Sequence, residues 1–405
     1  MITIQHAIRL VDRQILCQDV EILPTIKALG MVLAQDIASD IDSPPYDKAM
    51  MDGYAIRAED LTGEEVTWLH VVEQVTAGMT PTKSLAQGEA TRITTGAPIP
   101  EGATAVVIRE RTEEQPDRPD QVAVRQEAIS LGKNILRRGT SMREGRVVIK
   151  AGTIIRPTDV GILAEVGQTH VPVFTRPRVA VLSTGDEIVD ASMRPTAGQI
   201  RNSNGPMLEA MARAVGAKVT NLGIARDNKE DLTAKILEGL SFDVLFLSGG
   251  VSAGMLDLVP SVLAEHGVSE IFHKINMKPG KPLWFGVQEA TVRTLVFGLP
   301  GNPVSSLVGF HVFARRVIER MQGRSTETLE FRQVPLAEPM EHHGDRPVFF
   351  PSRHEHQGSG SIVRTLDWKG SADLATLAQA NAFVLFQPRE APYEAGELVP
   401  VIELD

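Results

Sequence analysis

The feature that most constrains this chain is an alternation of apolar runs and helical patterns between residues 178 and 321. Two of the runs, VAVLSTGDE and DVLFLSGGVS, are typical of buried strands that end in polar, glycine-containing turns. Three helical patterns accompany them: Pro206–Val215, Asp227–Leu240 and Leu258–His266. Three more strands and a helix are predicted further on: Ile271–Ile275, Pro282–Phe285, Thr294–Phe297 and Pro303–Met321. This alternation predicts a parallel, doubly wound α/β sheet, whose ligands bind beyond the carboxyl ends of the strands.

Shorter elements on both sides of this region predict three further domains. Residues 1–34 show a helical spacing of apolar side chains, and residues 145–176 contain a strand and the short helix Pro157–Glu165. We group residues 1–45 and 145–176 as an N-terminal linker or dimerisation domain. Short strands predict an inserted small β domain at 46–144 and a C-terminal, barrel-like β domain at 326–405. The central α/β domain then covers 177–325, which gives a multidomain α/β plus β fold.

Composition and charge limit the class of protein. The net charge of −10 argues against nucleic acid or an anionic membrane as a partner. Cys17 is the single cysteine, so no internal disulfide can form, and a reducing cytoplasm fits. The first residues lack the apolar core of a signal peptide, and no run of about 18 apolar residues predicts a membrane span. We therefore expect a soluble, cytoplasmic protein.

The stretch from Lys274 to Ser306 predicts an anion site. It contains the lysines Lys274, Lys278 and Lys281, followed by a glycine turn that includes Pro300, Gly301 and Asn302. Asn302 suits a helix N-cap, Pro303 suits the first helical position, and Ser305 places a hydroxyl in the first turn. A helix start carries unpaired N–H groups and partial positive charge, so nearby lysines make it favourable for a phosphate or another oxyanion. The alternative is a glycine turn with solvated lysines.

Two further loops follow buried strands of the same predicted sheet. The first contains Ser183, Gly185, Asp186 and Glu187, and the second contains Gly249, Gly250 and Ser252. Glycine lets the backbone approach a ligand closely, and successive N–H groups bind phosphate. Three such loops at strand ends of one sheet favour a nucleotide-type cleft. Acids beside a lysine-rich phosphate site hold Mg²⁺ or position a nucleophile, which is the role predicted for Asp186 and Glu187.

Several polar residues have simpler interpretations. Asp227 and Asp257 each precede a helical pattern, so each is also a candidate N-cap. Asp52 lies in a Met-Asp-Gly turn and is also explained as a turn residue. The histidines of the C-terminal region do not have the spacing of a zinc site; they are His342, His343, His354 and His356. No Ser-His-Asp arrangement follows from the spacing.

Six motifs together resemble the MoeA/gephyrin E-domain family of molybdopterin molybdenumtransferases. They are SPPYDKAMMDGYAI, RITTGAPIPEGATAVV, PRVAVLSTGDEI, SGGVSAG, MKPGKPLWFG and GLPGNPVSS, which occur in this order over essentially the whole chain. The resemblance implies insertion of molybdate into adenylylated molybdopterin with release of AMP, and a need for Mg²⁺. It also implies an elongated homodimer whose cleft combines the α/β domain of one subunit with the small β domain of the other. Molybdopterin adenylyltransferase and molybdoenzyme apoproteins are the other implied partners.

The resemblance also implies roles for individual residues. The implied catalytic residues are Asp52, Thr95, Glu187, Asp227 and Asp257. Lysines at Lys274 and Lys278 belong to the same cleft, and Lys278, Lys281, Ser305 and Ser371 match the positions of an oxyanion pocket. The metal ligands are expected among Asp186, Glu187 and Asp257. The chemistry suits these side chains, because molybdate is a tetrahedral dianion that ammonium, hydroxyl and N–H donors can bind.

Three positions depart from the family pattern. Leu136 stands where the family usually has arginine, and Ser141 stands where it has an acid. Near the C-terminal domain the usual arginine aligns with Pro351, for which Arg353 is a possible replacement. These departures keep open a second hypothesis, a non-catalytic paralogue that carries molybdopterin or molybdenum cofactor or assists assembly. Tungstate insertion also stays open, because tungstate and molybdate are dianions of nearly equal size.

Overall fold

The computed structural model describes residues 1–126, 128–250, 258–290, 292–324, 331–358 and 360–404. Its contacts divide the chain into two compact units. The first comprises Met1–Ala34, Gly152–Arg156 and His170–Asp405, and the second comprises Gln35–Ala151 and Pro157–Thr169. None of the described helices is long and apolar enough to cross a membrane.

A six-stranded sheet forms the centre of the first unit. Its strands in chain order are β1 (Arg178–Thr184), β2 (Lys218–Ala225), β3 (Val244–Ser248), β4 (Val268–His273), β5 (Trp284–Gln288) and β6 (Thr294–Leu299). The spatial order is β2-β1-β3-β6-β5-β4. Neighbours are parallel from β2 to β6, as predicted, but β5 runs antiparallel to both β6 and β4. The prediction of an all-parallel sheet was wrong at β5 because residues 274–283 form a turn without the crossover helix that parallel strands need.

Helices cover this sheet. They are α1 (Asn204–Ala214), α2 (Lys229–Gly239), α3 (Val259–Glu265), α4 (Pro303–Gly309) and α5 (Arg315–Met321). A π-helical turn, Phe310–Ala314, joins α4 to α5, so the predicted helix Pro303–Met321 is confirmed with one irregular turn. Phe246, Phe297 and Phe310 are buried between sheet and helix, with ring centroids 5.8 and 6.0 Å from that of Phe246. Burying each such ring stabilises the fold by about 2–3 kcal/mol.

The N-terminal segment belongs to the same unit. The helix Ile4–Asp12 buries Ile4, Ala7 and Val11 in the core of the sheet domain. The strand Val20–Pro24 then pairs antiparallel with His170–Phe174 before a 3₁₀ turn at Thr25–Ala28. The prediction of helices throughout residues 1–34 was therefore wrong at this strand. Its partner is distant in sequence, so local spacing gives no sign of the pairing.

The second unit contains a six-stranded sheet. Its strands, in spatial order, are Ala105–Ile108, Gly53–Ile56, Glu89–Ile93, Thr67–Val75, Arg118–Val124 and Thr112–Gln115. Two short pairs accompany the sheet, Lys48–Ala49 with Ile135–Leu136 and Ile37–Ala38 with Val147–Ile149. The predicted helix Pro157–Glu165 is present.

A curled antiparallel sheet follows α5 in the first unit. Its strands, in spatial order, are Arg332–Pro335, Leu398–Glu403, Ala382–Phe386, Val348–Gln357 and Gly360–Thr365. The bridge between Leu336 and Val363 brings the first strand against the last, so the sheet is nearly closed. We call it the C-terminal barrel, and it confirms the predicted barrel-like β fold.

Candidate functional site

Four loops follow the carboxyl ends of the neighbouring strands β1, β2, β3 and β6, so they lie at the same end of the α/β sheet. Ser183 of β1 pairs with Ser248 of β3, and Ser248 in turn pairs with Leu299 of β6. On the other side, Thr184 pairs with Ala225 at the end of β2. The loops that carry Asp186, Gly249 and Pro300 therefore start from neighbouring strand ends, which is where doubly wound sheets bind ligands. The structure brings together the loops that the sequence singled out.

Two asparagines at the start of α1 tie these loops to one another. Asn202 accepts hydrogen bonds from the Ser183 hydroxyl and the Gly205 N–H, both at 3.0 Å. The Asn204 amide donates to Ser248 Oγ at 2.8 Å and to the Gly301 carbonyl at 2.6 Å. Sequence reasoning missed both asparagines, although the segment RNSNGP before a helix is a signal for caps and turns.

The glycines of these loops are required by close packing. A Cβ on Gly185 would lie 2.6 Å from a carboxylate oxygen of Glu187, so this side chain folds back over the loop backbone. A Cβ on Gly249 would lie 2.5 Å from the Thr184 carbonyl, and the φ of Gly249 is +97°. At both positions glycine is required by contacts inside the protein, which hold the Glu187 carboxylate and the end of β1 against the loop backbone.

Asp186 and Asp227 form a reciprocal pair across the ends of β1 and β2. The Asp227 N–H donates to the Asp186 carboxylate at 3.2 Å, and the Asp186 N–H donates to the Asp227 carboxylate at 3.4 Å. The N-cap of α2 is Asn228, whose side chain accepts from the Asp231 N–H at 3.0 Å. The capping interpretation of Asp227 was therefore wrong, because the next residue takes that position.

The donors at these strand ends suit Mg²⁺. This ion prefers oxygen ligands and takes one or two carboxylates together with substrate phosphates. The loops supply the carboxylates of Asp186, Glu187 and Asp227, all exposed at the sheet edge. Within the described ranges, no three His, Cys, Asp or Glu side chains gather closely enough to hold a metal ion by themselves. Substrate oxygens would therefore have to complete the coordination. Ser252 and Asp257 lie outside the described residues.

A cavity of about 460 Å³ lies between the lysine stretch and the C-terminal barrel. Six residues predicted to bind the ligand line it: Lys278, Lys281, Pro300, Asn302, Ser305 and Ser371. The barrel contributes Arg346, His342 and Glu341 among its polar side chains, and Trp368 and Phe350 form an apolar wall. Three cationic side chains and one carboxylate thus line the cavity, a balance that favours an anion.

Backbone hydrogen bonds fix the two sides of this cavity. The Lys278 N–H donates to the Pro347 carbonyl at 2.8 Å, and the Phe349 N–H donates to the Lys278 carbonyl at 2.7 Å. The Val304 N–H, in the first turn of α4, donates to the Ser371 carbonyl at 3.2 Å. Asn302 occupies the N-cap position as predicted, although its side chain makes no capping hydrogen bond. The lysine turn, the helix start and the barrel therefore form one connected wall.

Lys274 lies apart from this cavity. It follows β4 with a φ of +72°, and its carbonyl accepts from the Ile2 N–H at 3.4 Å. It is not among the residues that line the 460 Å³ space. The three lysines of the stretch are therefore divided, with Lys278 and Lys281 at the cavity and Lys274 outside it.

Asp52 and Thr95 form a hydrogen-bonded pair in the second unit. One carboxylate oxygen of Asp52 accepts from the Thr95 N–H at 2.7 Å and from the Thr95 hydroxyl at 2.8 Å. These bonds, the backbone one first, lower the pKa of the Asp52 carboxyl from its ordinary value. A Cβ on Gly53 would lie 1.9 Å from the Val107 carbonyl oxygen, so only glycine fits after Asp52. The turn thus holds an ionised carboxylate at an exposed position.

Three family models match successive parts of the chain. The MoeA N-terminal region (domain I and II) matches residues 2–167, and a probable molybdopterin binding domain matches residues 180–320. The MoeA C-terminal region (domain IV) matches residues 333–404. The chain belongs to the MoeA family. The family models together cover both units and the C-terminal barrel.

Individual relatives agree with this membership. Molybdopterin molybdenumtransferase of Staphylococcus aureus is 32% identical over 383 residues, which cover 93% of this chain and 89% of the relative. The protein of the same name from a Nostoc species is 32% identical over 394 residues, covering 96% and 89%. A crystal structure of a molybdopterin biosynthesis MoeA protein from Pyrococcus horikoshii superposes with a TM-score of 0.85. It is 32% identical and covers 100% of this chain and 99% of that chain.

The departures from the MoeA pattern have distinct surroundings. Leu136 pairs with Lys48, and the arginines after it are engaged, Arg137 with Asp47 and Arg138 with Asp42. Ser141 lines a separate cavity of about 730 Å³ that also contains Arg143 and Arg146.

At the C-terminal barrel, Arg353, the possible replacement for the usual arginine, does not line the main cavity. Pro351 is buried in a strand, and Arg353 is exposed and 4.0 Å from Glu355. Arg346, which sequence reasoning missed, lines the main cavity instead. A single arginine in the polar segment HHGDRP gives no local signal of its position, so only the fold identifies it.

Proposed function

We propose that this protein inserts molybdate into adenylylated molybdopterin and releases AMP as a step of molybdenum cofactor biosynthesis. The observation that carries the proposal is the cationic cavity, in which Lys278, Lys281 and Arg346 lie beside the hydroxyl-bearing Ser305 and Ser371. A tetrahedral dianion needs several N–H and O–H donors around it, and charge-assisted hydrogen bonds are the strongest available. The named relatives, molybdopterin molybdenumtransferases of similar length, support the same substrate.

The strand-end loops are proposed to hold the phosphates of the adenylylated substrate. Gly249 and Gly250 have no side chains between their backbone and a ligand. At the strand ends below these loops, Ser183 is hydrogen-bonded to Asn202. Ser248 is hydrogen-bonded to Asn204 in the same way. Release of AMP breaks a phosphoanhydride bond, with a water oxygen joining phosphorus. Negative charge then grows on phosphoryl oxygens, and the lysines of the neighbouring stretch offset it.

Mg²⁺ is proposed as the cofactor of this step. Asp186 and Glu187 would hold it, with Asp257 as a further ligand, and the Asp227 N–H orients the Asp186 carboxylate. When bound, the ion neutralises charge on the phosphate oxygens. Asp227 and Glu187 are proposed to orient the attacking water at the same sheet edge.

A homodimer is proposed as the working form. Apolar side chains are exposed on the Val20–Pro24 strand and on the following 3₁₀ turn, with Ile22 71% and Ile26 70% exposed. Such a surface suits association with a second copy. The resemblance implies that Asp52 and Thr95 of the second copy reach the substrate. The proposed setting is the cytoplasm, beside a molybdopterin adenylyltransferase and molybdoenzyme apoproteins.

A carrier without turnover is the second candidate, and one observation favours it. Arg137 and Arg138 form ion pairs with Asp47 and Asp42, so replacing the arginine missing at Leu136 would require one of these pairs to break. Incubation with adenylylated molybdopterin, Mg²⁺ and molybdate distinguishes the two. The enzyme releases AMP, whereas a carrier binds the nucleotide without turnover and gains activity in the Leu136→Arg, Ser141→Asp variant. No release by intact, dimeric protein would contradict the proposed activity. Replacing molybdate with tungstate in the same assay compares the two oxyanions.

A further inference from the structure

Arg346 is carried into the main cavity by a loop without regular structure, residues 340–347. The loop is fixed at both ends. Met340 exchanges two backbone hydrogen bonds with Tyr393, at 2.9 and 2.8 Å, and the Pro347 carbonyl accepts from the Lys278 N–H at 2.8 Å. Between these anchors, the His342 carbonyl accepts from the Arg389 N–H at 3.5 Å, and a contact inside the loop joins His342 to Arg346.

The His342 side chain lies inside this loop, against the backbone of Gly344 and Arg346. Its Nε2 lies 2.8 Å from the Arg346 carbonyl oxygen, and because a carbonyl only accepts, Nε2 carries the hydrogen. His342 is 9% exposed, whereas the neighbouring Glu341, His343 and Asp345 are exposed. A Cβ on Gly344 would lie 2.7 Å from His342 Cε1, so the loop backbone closes tightly over the ring.

The Arg346 side chain itself makes two long hydrogen bonds. Its Nη1 donates to the Met277 carbonyl at 3.4 Å, and its Nε donates to the exposed Asp345 at 3.2 Å. A long arginine side chain loses rotamer freedom when it binds an anion, and a fixed backbone lowers the total entropy lost. Holding the Arg346 carbonyl is therefore a means of preorganising the guanidinium.

We propose that His342 is a positioning residue for the oxyanion site and acts through Arg346. Its Nε2–H bond to the Arg346 carbonyl holds the loop in the form that presents the guanidinium to the cavity. The inference rests on the proposed function, since the anion that Arg346 meets is taken to be molybdate. His342 also lines the cavity, so direct contact with the anion is the alternative that the test must separate.

Three variants of the full-length protein isolate the hydrogen bond. His342→Ala removes the ring, whereas His342→Gln keeps an N–H donor the same number of bonds from Cα. His356→Ala removes an exposed histidine away from the cavity and is the matched control. Molybdate binding measured by calorimetry should weaken about tenfold in His342→Ala and stay within about twofold of wild type in the other two. Equal losses in the Gln and Ala variants would overturn the role of the Nε2–H bond.

A double-mutant cycle with Arg346→Ala separates positioning from direct contact. If His342 acts through Arg346, adding His342→Ala to Arg346→Ala changes the molybdate affinity by less than about twofold. If His342→Ala lowers the molybdate affinity by the same factor in wild type and in Arg346→Ala, His342 contacts the anion directly and the inference is overturned. If His342→Ala does not fold, Gly344→Ala tests the loop from its other side, because its new methyl displaces the ring. Unchanged affinity in Gly344→Ala would then overturn the inference.

The outcome also separates this inference from the proposed function. Wild-type protein that binds no molybdate would overturn the assignment of the cavity, and the inference with it. Wild-type protein that binds molybdate, loses affinity in Arg346→Ala and keeps it in His342→Ala would overturn the inference alone.

Discussion

The backbone N–H of Asp227 donates to the carboxylate of Asp186, and the N–H of Asp186 donates to the carboxylate of Asp227. The two residues follow neighbouring parallel strands, β1 and β2, so the pair joins the first two loops of the sheet edge. Each carboxylate is oriented by the other residue's backbone and not by a helix start. This arrangement suits acids that act on a ligand, because their positions are set before the ligand arrives.

The first prediction concerns Asp227→Ala. Because Asn228 caps α2, the helix keeps its cap in this variant, and AMP release should fall about 10- to 100-fold, far more than a loss of about 1 kcal/mol from the Asp186 N–H bond explains. The matched control is Asn228→Ala, which should lose about 1 kcal/mol of stability and keep most of its activity. Urea unfolding and turnover are measured on both variants. AMP release that stays near the wild-type rate in Asp227→Ala would contradict a role of this carboxylate in turnover.

The second prediction concerns the pKa of Asp52. Thr95→Val removes the hydroxyl that donates to the carboxylate, so the pKa should rise toward its ordinary value. Because the pKa of Asp52 is lower in the folded than in the unfolded protein, its ionised form stabilises the fold at pH values above the pKa of the unfolded chain. This stabilisation is lost as the pH falls through the pKa of the folded protein. The stability gap between wild type and Thr95→Val should therefore be present at neutral pH and shrink below about pH 4. Carboxyl NMR titration reads the pKa directly, and equal values in the two proteins would refute the assignment.

The third prediction compares two arginines. Arg346 lines the cavity, whereas Arg353 is exposed beside Glu355. Arg346→Ala should weaken molybdate binding about 10- to 100-fold, since a charge-assisted donor is lost. Arg353→Ala should leave the affinity within about twofold of wild type. Calorimetric titration with molybdate checks both, and the reverse order would show that the barrel arginine was assigned to the wrong residue.

The fourth prediction concerns His311 in the π-helical turn. Burial, with a smaller effect from Arg315, lowers its pKa from 6.5 to about 4. The unfolded chain therefore binds a proton that the folded chain does not between these values, so stability falls as pH drops from about 6.5 to about 4. The loss is about 3 kcal/mol for this residue. His311→Leu should lack this part of the pH dependence. Urea unfolding at pH 7 and pH 4.5 gives the free energy of unfolding of each protein. An equal decrease between these pH values in wild type and His311→Leu would contradict the prediction.

The sequence predicted the α/β sheet because its strands are buried on both faces. Residues 179–182 and 244–247 are apolar without interruption, and each run leads through a buried serine into a polar loop at the carboxyl end of its strand. The lysine turn was likewise visible from residue types alone, and the structure places Lys278, Lys281 and Ser305 around one cavity. Their roles in binding stay predictions, as do the domain boundaries.

What the sequence missed depends on contacts between distant residues. The strand Val20–Pro24 pairs with residues far along the chain, and β5 reverses because of a turn without a helix. Asp227 and Asn228 are both good N-caps, so composition could not decide between them. Arg346 and His342 lie in a polar loop that is anchored by backbone bonds to Tyr393 and Lys278, which are distant in sequence.

The most direct test of the central claim is the dependence of AMP release on molybdate. Dimeric protein is incubated with adenylylated molybdopterin and Mg²⁺ over a range of molybdate concentrations. The account predicts AMP release that rises with molybdate and saturates, with the half-saturating concentration shifted upward in Lys281→Ala because a cation is removed from the cavity. A rate that does not depend on molybdate, or no AMP from protein that still binds the nucleotide, would contradict the account.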